Sequence, residues 1–560
     1  MHLSKYDGFH VTVRSLRVIL LCLAGIAAPS LAQDVRPPQH PFLADSAYTM
    51  LHANAANTDS NYVEGPIDET RRLGADEITW KPLGPGDGWE FLYSGPYPDG
   101  RRVIWAGGSN AVFKLDADTL RIISTHVLKP GRYFAQEQVA AFMDEMNERK
   151  RLAESSDEHI ESMARRFASV MVPVIRGTGA FYRFVSSDNE HYQMTNDVGA
   201  RTSLLEVYGD ETDGDPDSAI ELRRRWEIPQ SGERFSAGVA LNMTYDGWVI
   251  IATADGWVYA VSRDLTEQHR VSVRDSDHKD ADSWMAGFIR NGIAIDDDGG
   301  IYLLTQNKMH RVQWTGEKLS TDPSVGAWAV TYPSGQRGSG TTPTLMGWGE
   351  NNDKLVLIAD GVEQTSFRVY WRGEVPEDWE GIPGEPRQLA GIAPVTYGDD
   401  NAKAFPVPLE ASISAYGYGF FTYNDYPLNP PPKLGEPDAN IFANVLLNGM
   451  DRYALKGGVK YVWNPEDRAL ELAWTTSEPL GPSICSPTNN GLLFCMARHG
   501  GEWALQALDW NTGESVFHYL LGDDMRFNPG AAVVRFAPGG QIDCPCGVGW
   551  GLLRLSPRTH

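Results

Sequence analysis

Apolar residues along the chain alternate with polar ones in short runs that end at Gly, Asn or Asp. "ALQALDWNTGESVFHYLLG" (504–522) shows the unit: a strand, a tight turn and a second strand. Strict alternation over four to eight residues marks a half-buried strand. Weaker versions recur in "VALNMTYDGWVIIATADGWVYAVSRDLTE" (239–267), "GIAIDDDGGIYLLTQNKMHRVQWTGEK" (292–318), "TPTLMGWGENNDKLVLIADGVEQTSFRVYWRG" (342–373) and "ASISAYGYGFFTYNDY" (411–426). The pairs Asp246-Gly247, Asp255-Gly256 and Asp298-Gly299 are hairpin turns, because Gly takes positive φ at little steric cost.

Four short strands repeated every forty to sixty residues or so describe a β-propeller blade. The stretches 103–126 and 179–229 supply two more blades. The C-terminal run 532–555 supplies three strands and lacks a fourth, while "DEITWKPL" (76–83) reads as an outer strand without a blade. Pairing these two ends closes the ring and removes its exposed edges. The expected fold is all-β, a single propeller over 33–560 with eight blades, seven being the alternative. Trp510 is expected to pack between blades. One segment departs from period two. Across 133–171, Phe134, Val139, Phe142, Met143, Met146, Ile160, Met163 and Phe167 fall at helical spacing, which predicts a helical hairpin inserted in the propeller. It is either a side decoration or a lid over one face.

The "ALDWNTGES" strand–turn–strand resembles the blade repeat of the quinoprotein-type (PQQ-like) propellers, that is, the pyrroloquinoline-quinone-dependent dehydrogenases and their non-catalytic relatives. The resemblance implies a ligand site at the central axis. In those enzymes two adjacent cysteines lie beside the quinone and carboxylates hold a calcium ion. The nearest counterpart here is Cys544-Pro-Cys546, one residue further apart, and the chain contains no Cys-x-x-Cys-His haem site.

Composition narrows the partners. The 560 residues are 42% hydrophobic, enough for a sizeable core. The formal net charge of −24 repels phosphate backbones and anionic membranes, so nucleic acid is not an expected partner. Arg14 and Arg17 precede "VILLCLAGIAAP", and Ser30-Leu-Ala32 offers a cleavage site. Residues 1–32 therefore read as a signal peptide, and a periplasmic or secreted protein without a membrane span after cleavage is expected. Four cysteines remain. Cys485 and Cys495 flank a hairpin and are expected to form a disulfide; Cys544 and Cys546 either close a tight ring or stay reduced.

Candidate chemistry belongs at one mouth of the propeller, where loops join the second strand to the third and the outer strand to the next blade. Blade register places Asp255, Gln306, Asn307, Asp360, Asn424, Asp425, Arg498 and His499 there. The between-blade loops add "RDSDHKDADSW" (274–284), "GQRGSGTT" (335–342) and Glu410. His278 stands among Asp275, Asp277, Asp280 and Asp282, a setting that raises a histidine's pKa and suits acid–base work; the competing reading is a solvated acidic loop. Arg337 between glycines suits a bidentate clamp on an anionic group. The expected catalytic set is His278, Arg337, His499 and Asp282, with Asp360, Asn424, Arg498 and Glu410 binding ligand. Asp213, Asp215 and Asp217 alternate like the opening of a calcium loop, though Pro216 and a missing central Gly depart from it. His52, in "LHANAANTDSN", reads as a turn former. The expected ligand is a small or carbohydrate-like molecule in the funnel, transformed by His/Arg/carboxylate chemistry as in a lyase, hydrolase or isomerase. A quinone-dependent dehydrogenase and a non-catalytic scaffold for protein partners are the alternatives.

Overall fold

A computed structural model describes residues 35–154, 156–178, 181–230, 234–274, 288–335, 338–350, 352–362, 364–396, 409–423, 432–453, 457–530, 532–537 and 539–558. The strands form eight separate sheets, each antiparallel at its core. In chain order the blades span 91–127, 183–227, 238–272, 294–331, 344–394, 414–476, 486–522 and 535–555. Blade 3 shows how sequence makes them. Its first two strands, Gly238–Met243 and Val249–Thr253, are buried throughout, and Trp257–Val261 nearly so; the outer strand, Gln268–Ser272, alternates with every second residue exposed. The inner strands are covered on both faces by neighbouring blades, whereas the outer strand meets solvent. At its first turn Gly247 takes φ 94°, which the hairpin demands.

The ring closes as the orphan strand predicts. Ile78–Pro82 pairs antiparallel with Gly551–Leu555, Trp80 opposite Leu553, and becomes the outer strand of blade 8. Arg71–Arg72 adds a short parallel strand to the rim of blade 7, an addition that two charged residues do not announce. Cys485 and Cys495 form a disulfide at the inner edge of blade 7; Cys544 and Cys546 are buried free thiols. Trp510 packs between blades 6 and 7 near Trp474, with Lys460 Nζ 4.2 Å from its ring centroid.

The helical insertion is longer than its periodicity suggested and has a companion. Helix α1 (Gln136–Ala153) and helix α2 (Asp157–Thr178) form the expected hairpin. Helix α3 (Pro437–Leu447) enters between the second and third strands of blade 6 and packs on α2 in one apolar cluster. The seat is Trp550, at the turn between the second and third strands of blade 8. Phe142 of α1 stacks on it at 4.2 Å, and Phe134 and Phe167 approach its edges and face at 5.9 Å. The helices thus sit on the face of the propeller that carries the second-to-third-strand turns. No helix among the described residues is long and apolar enough to cross a membrane.

The feature with no counterpart in the sequence reading is the N-terminal segment 48–61. It lines the central channel and bonds to all eight blades in succession. Tyr48 O accepts from Tyr93 N of blade 1 at 3.0 Å, and Thr49 O from Val185 N of blade 2 at 2.8 Å. Ala55 O accepts from Asn242 Nδ2 of blade 3 at 3.0 Å and from Ile295 N of blade 4 at 2.7 Å. Ala56 O takes Leu345 N of blade 5, and Thr58 O takes Ala415 N of blade 6. Asn61 donates from its backbone to Pro487 O of blade 7 and from Nδ2 to Val534 O, next to the first strand of blade 8. The innermost strands otherwise present unpaired backbone groups to the channel; the segment satisfies them. It turns tightly to do so: His52, Ala53, Asn57 and Asp59 all have positive φ. Asn and Asp tolerate that region better than most residues, whereas His and Ala are held there by the surroundings.

Candidate functional site

The axial segment divides the channel into two cavities. One, of about 940 Å³, opens at the face of the first hairpin turns and is lined partly by residues 36–47 of the same N-terminal stretch. The other, of about 360 Å³, lies on the helical face. Its wall consists of the connections that enter each innermost strand, together with α3, which contributes Ile441, Phe442, Asn444 and Val445. Trp89, Phe181 and Phe442 form an aromatic patch on this wall, with Trp89 6.2 Å from Phe181 and 6.5 Å from Phe442 between ring centroids. Polar groups, among them His52, Glu90, Arg290, Thr342, Glu410 and Ser412, converge on it from separate segments, as in many small-molecule sites.

His52 lies at the floor. The loop 52–59 is closed by Asp59 N donating to His52 O at 3.2 Å. The same closure brings the side chains together, and His52 Nδ1 sits 2.9 and 3.0 Å from the two Asp59 oxygens. Asp59 is fully buried, and His52 is the partner its two carboxylate oxygens share. In the neutral tautomer that donates Nδ1–H to Asp59, Nε2 carries the lone pair. Nε2 faces two hydroxyls, Thr342 Oγ1 at 3.3 Å and Ser412 Oγ at 3.4 Å. The Tyr182 hydroxyl stands 3.2 Å from Thr342 Oγ1, and burial pushes its pKa up to about 12.

Two carboxylates complete the site. Glu90 is buried, and desolvation pushes its pKa up to about 7, opposed by the charges of Arg183, Arg535 and His52. Among the described residues its Oε2 has no hydrogen-bond partner, and it lies 4.0 Å from Arg183 Nε. Glu410 accepts from Arg290 Nη1 at 2.7 Å and Nη2 at 3.2 Å, a bidentate pair linking the entries to blades 4 and 6.

Of the residues expected from sequence, Glu410 lines this cavity. The rest of the described set does not converge on it. Asp360 is buried in the second turn of blade 5, accepting from Ser366 N at 3.0 Å and Arg368 Nε at 3.3 Å. Arg498 packs over Trp503 under α1 and bonds Asp523 at 3.0 Å. His499 stacks on His518 at 4.3 Å and meets Gln506 Oε1 at 2.9 Å. The second-to-third-strand turns lie farther from the axis than the loops entering the innermost strands, so register on one face does not bring them to the pocket. The three aspartates of the expected calcium loop turn to different partners. Asp213 pairs with Arg223, and Asp217 accepts from Arg101 and Arg121 at 2.8 Å each. Asp215 instead accepts from Asp217 N, and no group of three metal-ligating side chains occurs among the described residues. His278, Asp282, Arg337 and Asn424 lie outside the described residues.

His52 turns the chain at positive φ as expected and also reaches the cavity, backed by Asp59 and together with Glu90, Arg290, Thr342 and Ser412, which were not among the sequence candidates. The one available signal was the His and Asp seven residues apart in a string rich in residues that tolerate positive φ.

The quinone implied by the blade resemblance does not fit. Cys544 and Cys546 point into the core between blades 7 and 8, not the axial cavity. No described carboxylate set is free to hold its calcium ion, and residues 48–61 occupy the channel.

No family model matches the chain. It is 31% identical over 354 residues to an uncharacterized protein of Archaeoglobus fulgidus, a match covering 60% of this chain. The chain spans 64% of the length of that relative. Among solved structures it is similar to the quinohemoprotein alcohol dehydrogenase of Comamonas testosteroni, with TM-score 0.48, 12% identity, and coverage of 93% of this chain and 81% of the other. The WD40 repeats of RRP9 align with TM-score 0.33 at 10% identity, over 67% and 93% of the two chains. A putative 6-phosphogluconolactonase from Bacteroides uniformis aligns with TM-score 0.32 at 13% identity, over 59% and 81%. These likenesses concern the propeller fold alone.

Proposed function

We propose that the protein binds a small, partly apolar organic molecule in the axial pocket and transforms it by general acid–base chemistry. His52 is the base, held in one tautomer by Asp59. Glu90, near half-protonated at neutral pH, is the acid, and the Arg290–Glu410 pair anchors a polar end of the ligand. The observation that carries this reading is the buried His52–Asp59 pair at the cavity wall, whose second nitrogen meets the Thr342 and Ser412 hydroxyls. A histidine set at positive φ and fully packed is costly to keep for structure alone. The reading includes export, for which the N-terminal signal pattern and the Cys485–Cys495 disulfide speak.

The test is ligand capture. The full chain and an Asn444→Trp variant, which fills the pocket from the half-buried side of α3, are incubated with the small-molecule fraction of a cell extract. Retained compounds are identified by mass spectrometry. Compounds held by the parent and lost from Asn444→Trp are expected; identical retention by both removes the pocket from consideration.

A further inference from the structure

We propose that Ser412 is a nucleophile activated by the His52–Asp59 pair, and that the axial pocket hydrolyses small carboxylic esters or lactones through an acyl-serine intermediate. This rests on His52 serving as the base of the pocket. Ser412 leads into the first strand of blade 6, Ser414–Tyr416, and lines the cavity beside Ala411 and Glu410. Its Oγ lies 3.4 Å from His52 Nε2, and His52 Nδ1 lies 2.9 Å from Asp59. Hydroxyl, imidazole and carboxylate thus stand in line, each in reach of the next, though they come from two segments about 360 residues apart. Such a set is recognised by geometry and roles, and the nucleophile–base contact is often long before substrate binds.

Thr342 competes for the same nitrogen at 3.3 Å, but the Tyr182 hydroxyl is also bonded to Thr342 Oγ1. The only hydrogen bond that Ser412 Oγ makes among the described residues is the one to His52. Ser412 also presents a primary alcohol, which meets a carbonyl carbon with less crowding than a threonine. Thr342 and Tyr182 are therefore positioning residues that fix the imidazole. Arg290, bound to Glu410 two residues before Ser412, lines the same pocket and supplies a cation for the charge that develops on the carbonyl oxygen. The aromatic wall of Trp89, Phe181 and Phe442 suits an apolar acyl or leaving group of modest size, given the volume of about 360 Å³.

The chemistry balances without an added oxidant or metal. The Ser412 Oγ–carbon bond forms as its proton passes to His52 Nε2 and the carbonyl oxygen becomes an oxyanion. Collapse breaks the carbon–oxygen bond to the leaving alkoxide, which takes the proton from Nε2. Water then adds to the acyl carbon, losing a proton to Nε2. The second collapse releases the carboxylic acid and returns the proton to Ser412.

An alkyl fluorophosphonate and p-nitrophenyl butyrate test this on the full chain. A single phosphonyl adduct is expected, mapped to Ser412, with p-nitrophenolate released in a burst. His52→Asn keeps a residue that tolerates positive φ and should slow labelling about 100-fold, the low end for loss of a general base. Ser412→Ala should abolish labelling. Should Ser412→Ala fold poorly, Ser412→Cys supplies a second measurement, in which alkylation of the new thiol by iodoacetamide depends on His52. No adduct, an adduct elsewhere, or labelling that His52→Asn leaves unchanged overturns the assignment of Ser412. If Asn444→Trp still abolishes ligand retention in that event, the acid–base reading survives alone; if retention is also unaffected, both fall.

Discussion

Replacing Glu90 by Gln tests the electrostatics of the pocket without any knowledge of its ligand. Glu90 is 1% exposed, and burial moves its pKa from 4.5 to about 7 in the folded protein. The unfolded chain titrates near the ordinary value. Below about pH 4.5 the group is protonated in both states and costs nothing. As the pH rises towards 7, the unfolded chain releases the proton while the folded protein retains it, so folding loses stability. Above about pH 7 both states are ionised and the loss is complete. At about 1.4 kcal/mol for each pH unit, the gap between the two values makes that loss about 3 kcal/mol. Gln matches the shape of Glu and does not titrate. The Glu90→Gln variant should therefore gain about 3 kcal/mol on the parent between pH 4.5 and pH 8, measured as the difference between their urea unfolding free energies. Asp87 is also buried, with a pKa raised to about 6, but it is common to both proteins and cancels in the difference. A difference that does not change with pH would refute the desolvated carboxyl. A difference that moves against the variant as pH rises would mean that Arg183, 4.0 Å away, outweighs burial.

If Glu90 is the acid for a ligand retained by the pocket, turnover of that ligand falls above about pH 7 as the acid form is lost, and Glu90→Gln flattens this limb of the profile. Asp59→Asn keeps the backbone geometry but presents an amide donor to Nδ1, so the imidazole proton moves to Nε2. Hydrolysis of p-nitrophenyl butyrate should fall about 10³- to 10⁴-fold at unchanged folding, and parent-like turnover would separate the pair from the chemistry. Cys485→Ser opens a loop of separation 10 and should cost about 3 kcal/mol, while non-reducing peptide mapping of the parent should find the Cys485–Cys495 linkage and no such linkage at Cys544 or Cys546. Deleting residues 35–82 removes both the axial segment and the closing strand of blade 8, and cooperative unfolding should disappear; a truncated protein that melts like the parent would show that neither closes the ring.

Strands, turns and ring closure were legible because they are local. Period-two alternation in 504–522, the Asp-Gly turns of blade 3 and the mismatch between an orphan strand at 78–82 and a three-strand last blade each follow from a few neighbouring residues, and so does the hairpin pairing of Cys485 with Cys495. The helical stripe through Phe142 and Phe167 was legible for the same reason, although its seat on Trp550 was not. What only the tertiary structure decided is radius. Alternation tells which residues share a face of a sheet but not how far each loop stands from the propeller axis. Arg498, His499 and Asp360 therefore have the register of funnel residues and the position of inter-blade and sub-helical ones. The pairing of His52 with Ser412 carries no local signal, because it joins positions about 360 residues apart through a segment that runs along the channel and bonds all eight blades.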